Sequence, residues 1–225
     1  AGACTPTEQQ AIERELRRFV RGKILVVDED AAAAQAGAFG GGDGVVCIAG
    51  TGANCYGRNA EGKRARADGL GPLLGDRGSG YRIGEAALRA ACGANDGSGP
   101  ETLLLTACLT QMQVSSVDEL VQLVYRPDFA RDRVAALFPR VLECAAQGDA
   151  EANAILQWAG KELAGSTLAV LRSLKLSAVA PTGGVLSRDT PVRHSYEKTL
   201  RAALPGIQIQ EPMYDATVGA ALLVR

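Results

Sequence analysis

Three short glycine-rich stretches hold the residue types in this 225-residue chain best suited to binding phosphate: Gly50-Thr51-Gly52, Gly75-Asp76-Arg77-Gly78-Ser79-Gly80 and Gly183-Gly184-Val185. Glycine lets backbone N–H groups come close to phosphate oxygens, and the Thr51 hydroxyl adds a further donor. An acidic triplet, Asp28-Glu29-Asp30, follows the apolar run KILVV at residues 23–27. Two familiar phosphate fingerprints are excluded. The stretch GTGANC lacks the third glycine of a dinucleotide turn, and no Gly-Lys-Ser/Thr forms a Walker loop. Taken singly, each glycine stretch reads as a strand-end turn, and Ser79 reads as the N-cap of a following helix.

The elements that must position these residues follow from periodicity. Thr5-Pro6-Thr7-Glu8 has the layout of a helix start, continued by Ile12, Leu16, Phe19 and Val20 at helical spacing. The spacing predicts a buried strand of a mostly parallel sheet from Lys23 to Val27, then a short alanine-rich helix over 31–39. A strand over 45–49 ends in Gly50-Thr51-Gly52, and a hairpin pairs 54–58 with 63–67. The Gly69–Gly80 loop launches a helix through Ile83, Ala87, Leu88 and Ala91. From about residue 100 to 175 the pattern is helical, with one piece over 129–141 and the longest over 149–175. A strand over 176–180, a helix over 191–203, a strand over 207–209 and a helix over 216–224 close the chain. The class is α/β, and the glycine loops sit just after strands, where such sheets bind ligands.

Composition removes several function classes. Lys plus Arg number 24 against 25 Asp plus Glu, for a formal charge of −1, so there is no electrostatic footprint for nucleic acid or an anionic membrane. No run approaches the roughly 18 apolar residues of a membrane span, and the opening AGACTPTEQQ lacks the basic start and apolar stretch of a signal peptide. The six cysteines form no C-x-x-C pair, which argues against a zinc site and for reduced thiols in an intracellular protein. His194, the only histidine, has no Ser/Asp partners in the pattern and reads as a surface helix position. The chain does not start with Met, so the reading is of a processed product or part of a longer one.

The ordered series VVDEDAAAA, VVCIAGTGANCYG, ADGLGPLLGDRGSGYRIG, PTGGVLS and DATVGAALLV resembles the BadF/BadG/BcrA/BcrD ATPase family over essentially the whole chain. The likeness is greatest to its N-acetylglucosamine kinase branch, in the plant and algal wording GPLLGDRGSGY. The resemblance implies a ribonuclease-H-like (actin-like ATPase) α/β fold. It divides the chain into a remnant of an N-terminal domain, 1–42, and a complete C-terminal ATPase domain, 43–225, with a helical insertion at about 84–148. It also implies ATP and Mg²⁺ as cofactors, a small-molecule amino sugar as acceptor, and no metal site built from protein groups alone. By the family's motifs, Asp30 accepts the proton of the attacking sugar hydroxyl; Asp28 and Glu29 read as solvated neighbours, with Asp28 also the register alternative. Gly50, Thr51 and Gly52 match the second phosphate loop, Gly183 and Gly184 the adenosine loop, and Asp30, Asn54, Gly71 and Asp76 positions near the sugar.

The chain departs from the family pattern at three places. Gly69-Leu70-Gly71 stands where Gly-Trp-Gly offers a stacking surface, and Arg77 replaces an acidic residue. The first phosphate loop, Asp-Gly-Gly-x-Thr, is absent, and its place should precede residue 1. The expectation is therefore that these residues alone make a poor kinase. A homodimer or a partner chain is expected to cover the edge of the strand at 23–27. Two other readings stand beside the kinase: an ATPase or activator without a sugar substrate, and a nucleotide-binding remnant with a structural role. Radical-dehydratase activators hold an iron–sulfur cluster on cysteines, which Cys47 and Cys55 test; buried structural thiols are the expectation for both. The expected location is the cytoplasm, or an organelle stroma after processing.

Overall fold

A computed structural model describes residues 6–20, 25–187 and 189–224. After a first helix, α1 (Pro6–Leu16), the chain reaches α2 (Asp30–Ala38) and a three-stranded antiparallel meander, β1 (Gly44–Ala49), β2 (Ala53–Arg58) and β3 (Arg64–Asp68). A short helix α3 (Gly71–Leu74) and the longer α4 (Gly80–Asp96) follow. The helical segment continues through α5 (Leu104–Met112), α6 (Val117–Val124), α7 (Arg131–Ala135), α8 (Phe138–Ala146) and α9 (Ala150–Leu174). Two further strands, β4 (Ala178–Thr182) and β5 (Gln208–Ile209), flank α10 (Pro191–Ala203), and α11 (Ala216–Leu222) closes the described chain.

The sheet order is β3-β2-β1-β4-β5, with β4 parallel to both β1 and β5. It is thus mixed rather than mostly parallel, and it is the ribonuclease-H-like arrangement that the resemblance implies. Side chains of a strand alternate between faces, so β1 serves two cores. Val45, Cys47 and Ala49 point into the larger core with α4 and α9, while Val46 joins Ala31, Ala32 and Tyr56 on the other side. The alanine bias of α2 has a packing cause. At Gly37 a Cβ would collide with the Asp215 carbonyl, and at Gly219 with that of Ala33, so α2 and α11 touch backbone to backbone.

Two predicted elements differ from the structure. Leu25 to Val27 joins no ladder, and Lys23 and Ile24 lie outside the described residues. The strand expected from Lys23 to Val27, and its open edge awaiting a partner chain, are therefore not found in the described part. The helical piece expected over 129–141 is broken into α7 and α8, because Pro139 in the first turn of α8 has no N–H to continue a preceding helix.

Candidate active site

The Gly50-Thr51-Gly52 loop leaves the carboxyl end of β1 as a closed turn, with the Gly50 N–H donating to the Gly52 carbonyl at 2.9 Å. Two more bonds fasten it to the start of α4: Gly80 N–H to the Gly50 carbonyl at 2.8 Å, and Tyr81 N–H to the Thr51 carbonyl at 3.1 Å. Ser79 is buried and caps α4 by accepting the Arg82 N–H, as its sequence position predicts. With these bonds made, the N–H groups of Thr51 and Gly52 have no acceptor among the described residues. They are the donors a phosphate would use.

A pocket of about 310 Å³ opens beside this loop. Gly50, Thr51, Gly184 and Val185 line it on the sheet side, and Ala135, Phe138 and Pro139 on the helical side. The five predicted nucleotide residues divide sharply here. A Cβ at Gly50 or Gly184 would meet nothing within 4 Å, so the fold itself does not demand glycine there. Gly183 has φ +93°, and a Cβ would strike the Ala49 backbone, while at Gly52 it would come within 2.9 Å of the Asp76 carboxylate. Gly183 and Gly52 are thus fixed by folding. Gly50 and Gly184 leave room that a ligand can fill, and the wall opposite is apolar at Ala135, Phe138 and Pro139, with Asp132 also on that side.

Three residues predicted near the sugar lie at the β2–β3 end. The Asn54 side-chain oxygen is buried without a partner, packed under Gly69. Gly71 has φ +77° and open space around it, at the start of the exposed α3 turn where Leu70 and Leu73 face solvent. Asp76 is buried, with both carboxylate oxygens engaged. Its Oδ1 accepts the Ala53 N–H at 3.2 Å, and its Oδ2 lies 3.0 Å from Arg131 Nη2. Asp68 organises the same loop by accepting the N–H groups of Gly69, Asp76 and Arg77 at 2.9, 2.6 and 2.7 Å. Sequence reasoning missed both Asp68 and Arg131. The Asp68-Gly69 dipeptide was a usable turn signal, whereas nothing separates Arg131 from the neighbouring arginines until the fold brings it to Asp76.

Asp30 is the first residue of α2, exposed, with Oδ1 accepting its neighbour's N–H (Ala31) at 2.8 Å. Gln35 bonds to the carbonyls of Gly42 and Gly44, which sets the far half of α2 at the start of β1. The head of α2 is held against β3 by the Asp28 and Glu29 pairs, and no hydrogen bond or ion pair among the described residues joins Asp30 to the Gly50-Thr51-Gly52 loop. Asp28 and Glu29 are not the solvated neighbours expected. Asp28 is buried against Arg64 at 2.8 Å, and Glu29 pairs with Arg66 at 3.4 Å.

Cys47 and Cys55 face each other across β1 and β2, Sγ to Sγ 3.3 Å, both buried, and Cys55 also meets the Thr167 hydroxyl at 3.4 Å. The hydrogen bond to Cys47, together with burial, holds the Cys55 thiol well above its ordinary pKa. Both are structural thiols of the core, remote from any surface on which two subunits could share a cluster. Among the described residues no three His, Cys, Asp or Glu side chains group as metal ligands. None of the described helices is long and apolar enough to cross a membrane.

A model of the BadF/BadG/BcrA/BcrD ATPase family matches residues 1–224. The N-acetylmuramic acid/N-acetylglucosamine kinase of Clostridium acetobutylicum is 34% identical over 230 residues, spanning 100% of this chain and 75% of that protein. The N-acetyl-D-glucosamine kinase of Dictyostelium discoideum is 36% identical over 186 residues, 80% of this chain. The matched part is 58% of the Dictyostelium protein's length. A solved structure of a candidate N-acetylglucosamine kinase from Chromobacterium violaceum superposes with a TM-score of 0.75 at 26% identity, over 98% of this chain and 73% of that one. Its counterpart from Porphyromonas gingivalis shares the fold, with a TM-score of 0.66 at 21% identity over 96% and 72%.

Proposed function

The chain belongs to the BadF/BadG/BcrA/BcrD ATPase family, and on that premise we propose that it carries out ATP-dependent phosphotransfer to an amino sugar, N-acetylglucosamine or a close relative. The observation that carries the reading is the pairing of Gly50 and Gly184. Each is bare toward the same pocket, and neither is required to be glycine by its own packing. ATP fits that arrangement, with phosphates at the free Thr51 and Gly52 N–H groups and the base against Phe138 and Pro139.

Phosphoryl transfer asks the protein for positioning and charge neutralisation, plus one carboxylate to orient the attacking hydroxyl. In this reading Asp30 is that carboxylate, because its Oδ2 has no partner among the described residues, whereas Asp28 is closed by Arg64. Asn54 remains the candidate for a sugar hydroxyl in this reading, but its unpaired oxygen is sealed beneath Gly69 and has to be uncovered before it can accept one. Gly71, with open space around it, is the other candidate of this turn. Asp76 supports the acceptor site through its loop, with its carboxylate engaged inside the protein. Mg²⁺ typically binds phosphate oxygens with one or two carboxylates, so the lack of a protein cage among the described residues is compatible with it. Its chemistry when bound is to neutralise the phosphate charge.

The proposal keeps the division into 1–42 and 43–225 and a location in the cytoplasm or an organelle stroma. ADP release from ATP with and without N-acetylglucosamine tests it. Sugar-dependent release supports the kinase, equal release points to an ATPase or activator, and ATP binding without turnover points to a nucleotide-binding remnant.

A further inference from the structure

Arg131 opens α7, the helix whose next turn, at Ala135, lies against Gly80 and lines the pocket. Its guanidinium reaches across 55 residues of sequence to Asp76 Oδ2 at 3.0 Å and lies over the Tyr81 ring, 5.5 Å from the centroid. Each of these partners ends on the Gly50-Thr51-Gly52 loop. Asp76 takes the N–H of Ala53, the residue that follows Gly52, and Tyr81 gives its own N–H to the Thr51 carbonyl. One cation thus holds both sides of a three-residue turn.

We infer that Arg131 is a positioning residue that clamps the Gly50-Thr51-Gly52 loop through Asp76 and Tyr81, keeping the Thr51 and Gly52 N–H groups turned outward. Its consequence for ATP rests on the kinase reading; the clamp itself does not. Asp76 is buried and held at φ +56°, a conformation that side chains rarely adopt. Without Arg131 this carboxylate has no opposite charge in contact with it among the described residues and is driven to turn toward water, releasing Ala53. Two nearby arginines are committed elsewhere, Arg82 to Glu85 and the Gly75 carbonyl and Arg133 over Phe129, and the Arg77 side chain is exposed. Arg131 is itself half exposed, and an exposed ion partner adds little to global stability. A local loosening of the loop is therefore separable from unfolding.

Amide hydrogen exchange on the unliganded protein tests the clamp. Arg131→Met should lower the protection of the Ala53, Gly80 and Tyr81 amides by about tenfold or more, while Val46 to Ile48 in β1 and the melting temperature stay close to the parent. Arg131→Lys should restore part of the protection, since an ammonium can pair with Asp76 but not lie flat on Tyr81. Asp76→Asn should loosen the same amides, and adding Arg131→Met to it should change little more. Unchanged loop protection in Arg131→Met would overturn the clamp, as would a loss spread evenly over β1. ATP titration of the same proteins forms the second arm. Weakening in Arg131→Met in step with lost loop protection supports the clamp's role in nucleotide binding, and unchanged affinity despite a loosened loop removes that role. A parent that binds no ATP at all overturns the kinase reading, and the exchange result then decides the clamp by itself.

Discussion

The Asp28 carboxylate meets the Arg64 guanidinium at 2.8 Å and is buried there, while Asp30, two residues later, stands exposed at the head of α2. Neighbouring acids in one triplet thus have different uses. The first ties the approach to α2 against β3, and the other leaves Oδ2 without a partner among the described residues.

That difference predicts opposite outcomes for two conservative changes. Asp30→Asn should leave folding and nucleotide affinity close to the parent and lower turnover by roughly 10²–10⁴, the usual loss for a removed general base. Asp28→Asn should lower stability by about 1 kcal/mol, since its partner is partly solvated, and leave most of the turnover. Steady-state kinetics beside thermal melts separate them. Normal turnover in Asp30→Asn would take it out of the mechanism.

The two glycines of the adenosine loop should also part company. Gly184→Val projects into the open pocket and should weaken ATP binding by about tenfold or more, the equivalent of some 1.4 kcal/mol of lost contact, with little change in stability. Gly183→Val combines a positive φ with a collision at Ala49 and should lower stability by about 2–4 kcal/mol. Calorimetric titration and chemical denaturation of each variant check this. An unaltered ATP affinity in Gly184→Val would mean that the pocket is not where the nucleotide sits.

Leu70 occupies the place where the family's kinases offer a tryptophan, and it is exposed beside Gly71. Leu70→Trp should lower the KM for N-acetylglucosamine by about threefold to tenfold through stacking on the sugar face. A KM that does not move would place this turn away from the acceptor.

A pH-dependent term is built into the foot of α9. Asp149 caps that helix at the Ala152 N–H and also receives the Leu103 N–H and the Thr102 hydroxyl, at 2.8, 2.7 and 2.8 Å. Partial burial raises its pKa, but these hydrogen bonds outweigh burial and hold the carboxyl below its ordinary value. A lowered folded-state pKa stabilises fully above the unfolded carboxylate value of about 4, and the contribution disappears as pH falls through the folded value. Asp149→Ala should cost about 1–2 kcal/mol at neutral pH. Denaturant melts at pH 7 and at about pH 2–3 should show the gap between parent and variant narrowing in acid. A constant gap would show that the contribution is packing rather than the cap.

Where local rules decide an element, the sequence was sufficient. Pro191 starts α10 as read, Asp149 starts α9, and the hairpin falls within a residue of the predicted strands. Residues 23–27 show the limit. A β-branched run fits a pleated surface, but a strand needs a neighbour to pair with, and Leu25 to Val27 has none among the described residues. The glycine loops were legible as a set, yet the sequence could not say which glycines serve the fold. That depends on what stands opposite each Cα, such as Ala49 before Gly183 and empty space before Gly184. Arg131 was hidden for the same reason, since its partner is remote in sequence and its neighbours are also arginines.

The central claim is that the γ-phosphoryl group of ATP passes to an amino sugar at this site. Following phosphorus-labelled ATP with N-acetylglucosamine in the native polypeptide that carries this chain tests it most directly. The account predicts label in a sugar phosphate ester, formed one for one with ADP, and absent when the sugar is omitted. Label released only as inorganic phosphate, at a rate indifferent to the sugar, would contradict it.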